Sequence, residues 1–198
     1  PLGVYACLGN HDTFCERARY ITRLLMAAGV EVLTNRATAL PGHARAWIVG
    51  IGDPTTAHHD FDTALQCVPL SAFKLLLSHA PDIADAAADL NLDLALTGHT
   101  HGGQVNLPVI GPTIVPSRYG PKYAWGLFDC RGTRLFVNRG VGVVPPALRF
   151  RCPPEVAVLT LRRGEGDLPT GRRAVDLRPL VRGLRETRCR LNHQAPKG

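Results

Sequence analysis

An α/β fold, with sheets flanked by helices, is predicted by two features of the sequence. Short apolar runs alternate with segments of helical periodicity through the first half of the chain, which is typical of layered α/β proteins. From about Trp125 the pattern changes to hairpin-like runs separated by turns. With 198 residues, 45% of them hydrophobic and 20% charged, the chain can form a domain with a sizeable core.

The first elements are predicted by apolar runs and by helix boundaries. The run at residues 3–9 ends in glycine and predicts a buried strand. Thr13 and Glu16 form a capping-box pair, so a helix is expected to begin there. Apolar side chains then recur at helical spacing, at Phe14, Ala18, Ile21, Leu25 and Ala28. Gly29 is placed to end that helix, and residues 30–33 predict the next strand.

The rest of the chain predicts six more strands, two of them paired in a hairpin, and two helices. Strands are expected at 46–51, at 74–82 (running out at Ser78-His79), and at 92–98, with short helices at 60–67 and from Pro81 to about residue 90. A hairpin at 124–138 has Arg131-Gly132 in its turn, and the alternating run at 155–161 predicts a last strand. The expected domain spans residues 1–162, and residues 163–198 are expected to form a basic, disordered tail.

The positive charge is concentrated in that tail. The formal net charge is +7; residues 162–198 carry ten Lys and Arg against four Asp and Glu, and residues 1–161 carry 13 against 12. A solvated tail is favoured, and contact with acidic partners or lipid headgroups is the alternative. Nucleic-acid binding is not expected, because no aromatic platform or known motif accompanies the tail.

Cysteine usage and hydropathy suggest where the protein functions. Six cysteines are scattered without a C-x-x-C pair, so reduced thiols are expected, and Cys7 is interpreted as a packing residue. No apolar run reaches the length of a membrane span, and no signal-peptide pattern is recognised. The expected location is cytoplasmic or associated with a membrane surface.

Polar clusters follow three of the predicted strands. They are Asn10-His11-Asp12, Ser78-His79 and His99-Thr100-His101. Ligands of α/β proteins bind where strands open into loops, so these clusters are expected to converge on the same rim of one sheet. Neutral imidazole is a common metal ligand, and glycines at 98, 102 and 103 would let a phosphate approach the backbone.

These motifs, in this order, resemble the calcineurin-like metallophosphoesterase family. The matching segments are GNHD at 9–12, a strand ending in His79, and TGHTHGGQ at 97–104. The last of these, with SRYGPKYAWGLF and VNRGVG downstream, is similar to the YkuE- and YaeI-type branch, which is related to lipid A-pathway pyrophosphatases. The resemblance covers about residues 3–162. It implies a layered α/β sandwich and hydrolysis of phosphoesters.

The resemblance also implies a dinuclear metal centre. Asn10, His79 and His99 correspond to ligands of one metal, and His101 corresponds to a ligand of the other. Two divalent ions (Mn, Fe or Zn) suit such ligands; they neutralise an anionic ester and activate water.

Catalytic and substrate-binding roles follow from the same resemblance. His11 corresponds to the acid that stabilises phosphoryl oxygens or protonates the leaving group, and Asp12 to the carboxylate that orients it. Arg118 and Tyr119 lie in a Gly- and Pro-rich loop that is either substrate-binding or solvated, and Arg139 is expected to face the site.

The sequence departs from the family pattern at its start. No D-x-H motif is present, and Gly52-Asp53 and Gly166-Asp167 come after GNHD, in the wrong order to replace the family's G-D-x-x-D. The N-terminal strands are therefore expected to be absent, and the sequence is interpreted as the C-terminal part of a longer protein. Alone, it is expected to hold one metal weakly.

Two functions therefore remain open. The first is a two-metal phosphodiesterase, phosphatase or lipid-linked pyrophosphatase that acts on a phosphorylated small molecule or lipid. The alternative is a catalytically defective remnant that binds a metal or a partner. His58-His59-Asp60 is interpreted as a loop that caps a helix, with an accessory metal cluster as the alternative.

Overall fold

The computed structural model describes residues 2–14 and 17–161. The helices are α1 Asn10–Phe14, α2 Ala18–Ala27, α3 Phe61–Leu65 and α4 Ala84–Asp89. The strands are β1 Val4–Ala6, β2 Val30–Val32, β3 Arg36–Leu40, β4 His43–Gly50, β5 Phe73–Leu77, β6 Leu94–Thr97, β7 Asn106–Leu107, β8 Gly111–Pro112, β9 Gly126–Cys130 and β10 Thr133–Val137. The α/β class predicted from the sequence is confirmed.

A mixed sheet of six strands forms the centre of the fold. Its order is β3-β4-β5-β6-β10-β9. The four inner strands β4, β5, β6 and β10 run parallel, and the two edge strands are antiparallel to their neighbours. Because the carboxyl ends of parallel strands meet at one edge, the loops that follow β4, β5, β6 and β10 are brought together there.

The core lies between this sheet and its short helices. Leu76, on β5, and Leu135, on β10, are almost completely buried. Ala84, Ala87 and Ala88 of α4 pack into the same cluster, because their small side chains let the helix approach the sheet closely. The apolar runs predicted as buried strands therefore do build the core at β4, β5 and β6.

The first strand is an exception, because it is short and exposed. β1 pairs only with β2, in parallel, as a separate two-stranded sheet, and Val4 is 60% exposed. The prediction of a buried strand at residues 3–9 is therefore wrong in its burial. Helix α2 likewise has no buried residue, although its apolar side chains recur on one face.

The helix expected from Thr13 begins earlier and is divided. α1 starts at Asn10, and Thr13 lies inside it, where its Oγ1 hydrogen-bonds the carbonyl of Asn10. Glu16, the other half of the predicted capping box, lies outside the described residues. Gly29 ends α2 as predicted, with a positive φ of 80° and its N–H donating to the carbonyl of Met26.

Two further differences concern strands. β3 was not expected; it forms because Pro41-Gly42 lets residues 36–40 fold back antiparallel on β4. The last predicted strand, at 155–161, has no regular secondary structure. The N–H of Glu155 donates to the carbonyl of Gly140, but among the described residues no neighbouring strand continues the pairing that an alternating run needs.

The chain divides into two compact units, residues 1–156 and 157–198. Of the second unit only residues 157–161 are described, and they form no helix or strand. The predicted basic tail at 163–198 lies outside the described residues. Within the described part of the chain, every helix is too short or too polar to cross a membrane.

Candidate metal centre

Three side chains from separate parts of the chain meet at the carboxyl edge of the central sheet. Asn10 Oδ1 lies 2.9 Å from His79 Nε2, and the same nitrogen lies 3.0 Å from His99 Nδ1. His79 follows β5 and His99 follows the adjacent parallel strand β6, so the sheet places them side by side. Asn10 follows β1, which belongs to the separate β1–β2 sheet. The predicted convergence of the polar clusters therefore occurs, but the strands that they follow do not all belong to one sheet.

Gly9 is required for this meeting. A Cβ atom at position 9 would lie 2.6 Å from atoms of the His79 ring, which is closer than real contacts allow. Only glycine therefore lets Asn10 and His79 approach to hydrogen-bonding distance. The glycine of the GNHD segment has a packing role that its position in the motif did not reveal.

Burial favours the neutral form of these two histidines. Burial, with a contribution from nearby His99, lowers the pKa of His79 to about 4, and the charges of Asp53 and Asp12 oppose this shift. Burial also lowers the pKa of His99, against the charges of Asp53 and Asp82 and a hydrogen bond with the Pro116 backbone. Neutral imidazole is the form that binds a metal.

The loop that carries His99 and His101 is held in a strained conformation. Their φ angles are 69° and 51°, in the left-handed region that side chains rarely adopt. Thr100, which lies between them, is completely buried and donates from Oγ1 to the carbonyl of Ala124 at 2.6 Å. Such strain persists where surrounding contacts enforce it, and it is common at functional sites.

The glycines of this loop are needed for packing inside the protein. A Cβ at Gly102 would lie 2.5 Å from Arg139 Cγ, and one at Gly103 would lie 2.3 Å from Pro112 Cβ. Only Gly98 has open space beside it, with its nearest neighbour 3.8 Å away. The approach of a phosphate to the backbone at Gly98, Gly102 and Gly103 remains a prediction.

His101 is oriented by a network of backbone carbonyls. Its Nδ1 lies 3.1 Å from the carbonyl oxygen of Gly142. The guanidinium of Arg149 donates to that same carbonyl at 2.6 Å and to the carbonyl of His101 at 3.2 Å. It also donates to the carbonyls of Arg139, Gly140 and Cys152. A hydrogen bond at Nδ1 leaves Nε2 of His101 for a ligand, as is usual at metal sites.

His11 and Asp12 lie in α1 beside these donors. His11 is exposed and packs edge-on against the ring of Phe14. Asp12 Oδ2 accepts a hydrogen bond from the N–H of Gly9 at 2.8 Å, so the observed partner of this carboxylate is the backbone. The role of Asp12 in orienting His11 remains a prediction.

The three predicted substrate-binding residues have partners elsewhere in the protein. Arg118 donates to the hydroxyl of Tyr119, and that hydroxyl donates to Asp85 of α4. Arg139, which follows β10, pairs with Glu155 at 3.4 Å and packs against the loop that carries His101. Arg139 is therefore placed near the histidine loop, and Arg118 and Tyr119 are tied to α4.

Two other sequence interpretations concern residues near the site. Asp60 caps α3 by accepting from the N–H of Thr63, as predicted, and His58 and His59 are exposed. Burial raises the pKa of the Cys7 thiol to about 11, which fits a packing residue and not a nucleophile.

Asp53, which was not predicted as a site residue, lies at the same edge of the central sheet as His79 and His99. It follows β4, the neighbour of β5, and is 1% exposed. It lines a cleft of about 720 Å³ together with Thr13, Arg19, Arg23 and His58. Because Asp53 comes after GNHD in the chain, it was excluded as a replacement for the family's G-D-x-x-D motif. Proximity in the fold, however, does not follow sequence order.

The three touching donors suit a metal ion. Ligand bonds of about 2.1 Å at right angles put neighbouring ligand atoms about 3 Å apart, as the Asn10, His79 and His99 atoms are. However, within residues 2–14 and 17–161 no group of three His, Cys, Asp or Glu side chains is arranged to hold a metal. The amide of Asn10 is therefore needed for a third donor.

Comparison with known proteins supports the resemblance. The metallophosphoesterase YkuE of Bacillus subtilis (strain 168), named as uncharacterized, is 35% identical over 164 residues, which are 82% of this chain and 57% of YkuE. Phosphodiesterase YaeI of Escherichia coli (strain K12) is 36% identical over 165 residues, 79% of this chain and 57% of YaeI. These similarities support the calcineurin-like metallophosphoesterase family for this chain.

Other metallophosphoesterase relatives are more distant. The UDP-2,3-diacylglucosamine pyrophosphatase LpxG of Chlamydia muridarum (strain MoPn / Nigg) is 27% identical over 213 residues, covering 80% of this chain and 64% of LpxG. The chain thus spans little more than half the length of YkuE and YaeI. No family model matches the chain, and no solved structure does.

Proposed function

We propose that this chain contributes to a metal-dependent phosphoester hydrolase, with Asn10, His79 and His99 holding a divalent cation. The contacts that His79 makes with both Asn10 and His99 are the observation that carries the proposal. Mn, Fe or Zn suits an amide oxygen and two imidazoles. His101, with Nδ1 hydrogen-bonded to a carbonyl, is assigned to a second cation.

The bound cations supply charge neutralisation and an activated water. The residues of the chain orient the cations and the activated water. Gly9 and the strained loop hold the donors in place, and His11, exposed beside them, is assigned to proton transfer at the phosphoryl group. Arg139, which packs against the histidine loop, is assigned to substrate binding on the family resemblance.

A phosphorylated small molecule or lipid is the proposed substrate. The name of LpxG, a pyrophosphatase of UDP-2,3-diacylglucosamine, supports a lipid-linked phosphate as one candidate. Association with a membrane surface would accompany such a substrate.

A second candidate function is metal binding without turnover. It is favoured by the donor set itself, since Asn10, His79 and His99 are all neutral side chains. In the described part of the chain, no carboxylate completes a metal-binding group with the histidines.

One experiment separates these functions. Metal content and hydrolysis of bis(p-nitrophenyl) phosphate are measured for the 198-residue chain and for a form extended upstream of Pro1. Hydrolysis that appears only in the extended form, and is lost in His79→Ala, supports the hydrolase. Metal binding without hydrolysis in both forms supports the second function. His43→Ala, which changes an exposed histidine on β4, is the matched control.

A further inference from the structure

Asp53 is a buried carboxylate with one oxygen that no neighbouring group satisfies. Its Oδ2 accepts a hydrogen bond from Thr55 Oγ1 at 2.6 Å. Its Oδ1 is buried and has no hydrogen-bond partner among the described residues, and Asp53 is 1% exposed. A buried anionic oxygen without a partner strongly destabilises a folded protein unless a positive charge lies nearby.

The fold brings this carboxylate to the histidine pair. β4, β5 and β6 are adjacent parallel strands, and Asp53, His79 and His99 follow their carboxyl ends in that order. The turn Pro54–Thr56 that begins after Asp53 neighbours both α1 and the turn Pro81–Ile83. The negative charge of Asp53 raises the pKa of both His79 and His99, against the effect of burial.

No side chain in the described ranges balances this charge. Asp53 takes part in none of the ion pairs found within residues 2–14 and 17–161. Arg19 and Arg23 line the same cleft, but both are exposed on α2. The site therefore combines three neutral donors with a buried carboxylate that no cationic side chain in the described ranges pairs.

We propose that Asp53 balances the charge of a divalent cation held by Asn10, His79 and His99. It acts from beside the three donors and not as a fourth ligand in contact with them, since the described residues contain no group of three such side chains within reach of one ion. This inference rests on the proposed function. It gives the site a carboxylate from a position that comes after GNHD in the chain.

The test compares Asp53→Asn with wild type in the full chain. The substitution keeps the shape of the side chain and removes its charge. Isothermal titration with Mn²⁺ is expected to show affinity reduced about 10- to 100-fold. In EDTA, however, the variant is expected to melt about 2 °C or more above wild type, because an unbalanced buried charge has been removed. Opposite effects on affinity and melting temperature are the signature of a charge-balancing carboxylate.

Two control variants separate charge from local structure. Asp62→Asn makes the same chemical change at an exposed position in the first turn of α3 and is expected to leave both readouts unchanged. Thr55→Val removes the hydrogen bond to Oδ2 but keeps the charge, and it is expected to keep Mn²⁺ affinity within about threefold of wild type.

The outcomes that overturn the inference are distinct. If Asp53→Asn melts lower in EDTA and binds Mn²⁺ as wild type does, Asp53 only anchors its turn. If Thr55→Val loses as much affinity as Asp53→Asn, the turn and not the charge supports the site. If wild type itself binds no Mn²⁺, the proposed metal site fails and the inference fails with it.

Discussion

His79 makes the stability of the metal-free protein depend on pH. Its pKa is lowered from 6.5 to about 4 by burial, so between these values the unfolded chain binds a proton that the folded protein does not. Stability is therefore expected to fall as the pH is lowered from about 6.5 to about 4, and to level off below that. Urea unfolding in EDTA at a series of pH values measures this slope.

The variant His79→Gln tests the assignment of this slope. It removes the titrating group, so its stability is expected to depend less on pH in the same range. His43→Gln, at an exposed position on β4, is expected to keep the wild-type slope. Equal slopes in His79→Gln and wild type would show that another group is responsible.

Arg149 is expected to control the orientation of His101. Its guanidinium donates to five backbone carbonyls, among them those of His101 and Gly142. A lysine cannot reproduce this fork of donors. Arg149→Lys is expected to lower the free energy of unfolding by about 2–3 kcal/mol. It is also expected to disturb the single tautomer of His101 in long-range nitrogen–proton NMR spectra.

If Arg149 had only a structural role, Arg149→Lys would lower the free energy of unfolding and leave the NMR spectrum of His101 unchanged. Arg134→Lys is the matched control, because Arg134 lies on β10 and its ion pair with Asp129 is partly exposed. An unchanged His101 spectrum in Arg149→Lys would contradict the positioning role.

At the scale of elements, the central sheet and the first helices are expected to contribute unequally to stability. Leu76 of β5 is fully buried, whereas Leu24 of α2 is 52% exposed. Leu76→Ala is therefore expected to cost about 2–5 kcal/mol, through lost burial and a cavity. Leu24→Ala is expected to change stability by less than about 0.5 kcal/mol. Denaturant unfolding of the two variants checks this, and similar losses would show that α2 is packed in solution.

Elements with local signals could be predicted from the sequence. The hairpin around Arg131-Gly132 and the helix capped by Asp60 depend on residues that are close together in the chain. The burial of β1 could not be predicted, because it depends on which elements cover the strand. Asp53 and Arg149 were missed for the same reason, since their partners are identified only by the folded sheet and loops.

The predicted ligands show the same division between local and distant information. Sequence motifs identified Asn10, His79 and His99, and the fold brings them into contact. No motif indicated that Gly9 must lack a side chain so that His79 can reach Asn10. The close approach that requires this glycine is between Gly9 and His79, which are 70 positions apart in the chain.

For the whole molecule, the distribution of charge predicts a change in surface binding. Residues 162–198 carry a net charge of +6 and the rest of the chain +1. A chain ending at Leu161 is expected to lose most of its retention on a cation-exchange column at low salt. Salt-dependent binding to random DNA, measured in parallel, is expected to be weak and to disappear with the same truncation. Sequence-specific binding by the truncated chain would contradict the expectation that nucleic acid is not a partner.

The described residues at 2–14 and 17–29, most of which are exposed or half-buried, also affect how the site responds to its ligand. Asn10 belongs to this segment, whereas His79 and His99 stand on the buried sheet. A segment with so few buried contacts opens locally at low free energy, and its amides are expected to exchange hydrogen early. A ligand held by all three donors binds only when this segment is closed. Ligand binding and closure are therefore linked: the ligand stabilises the closed segment by the same free energy by which closure strengthens binding. A contact that covers Val4 and α2 would therefore tighten binding at the site without touching the three donors.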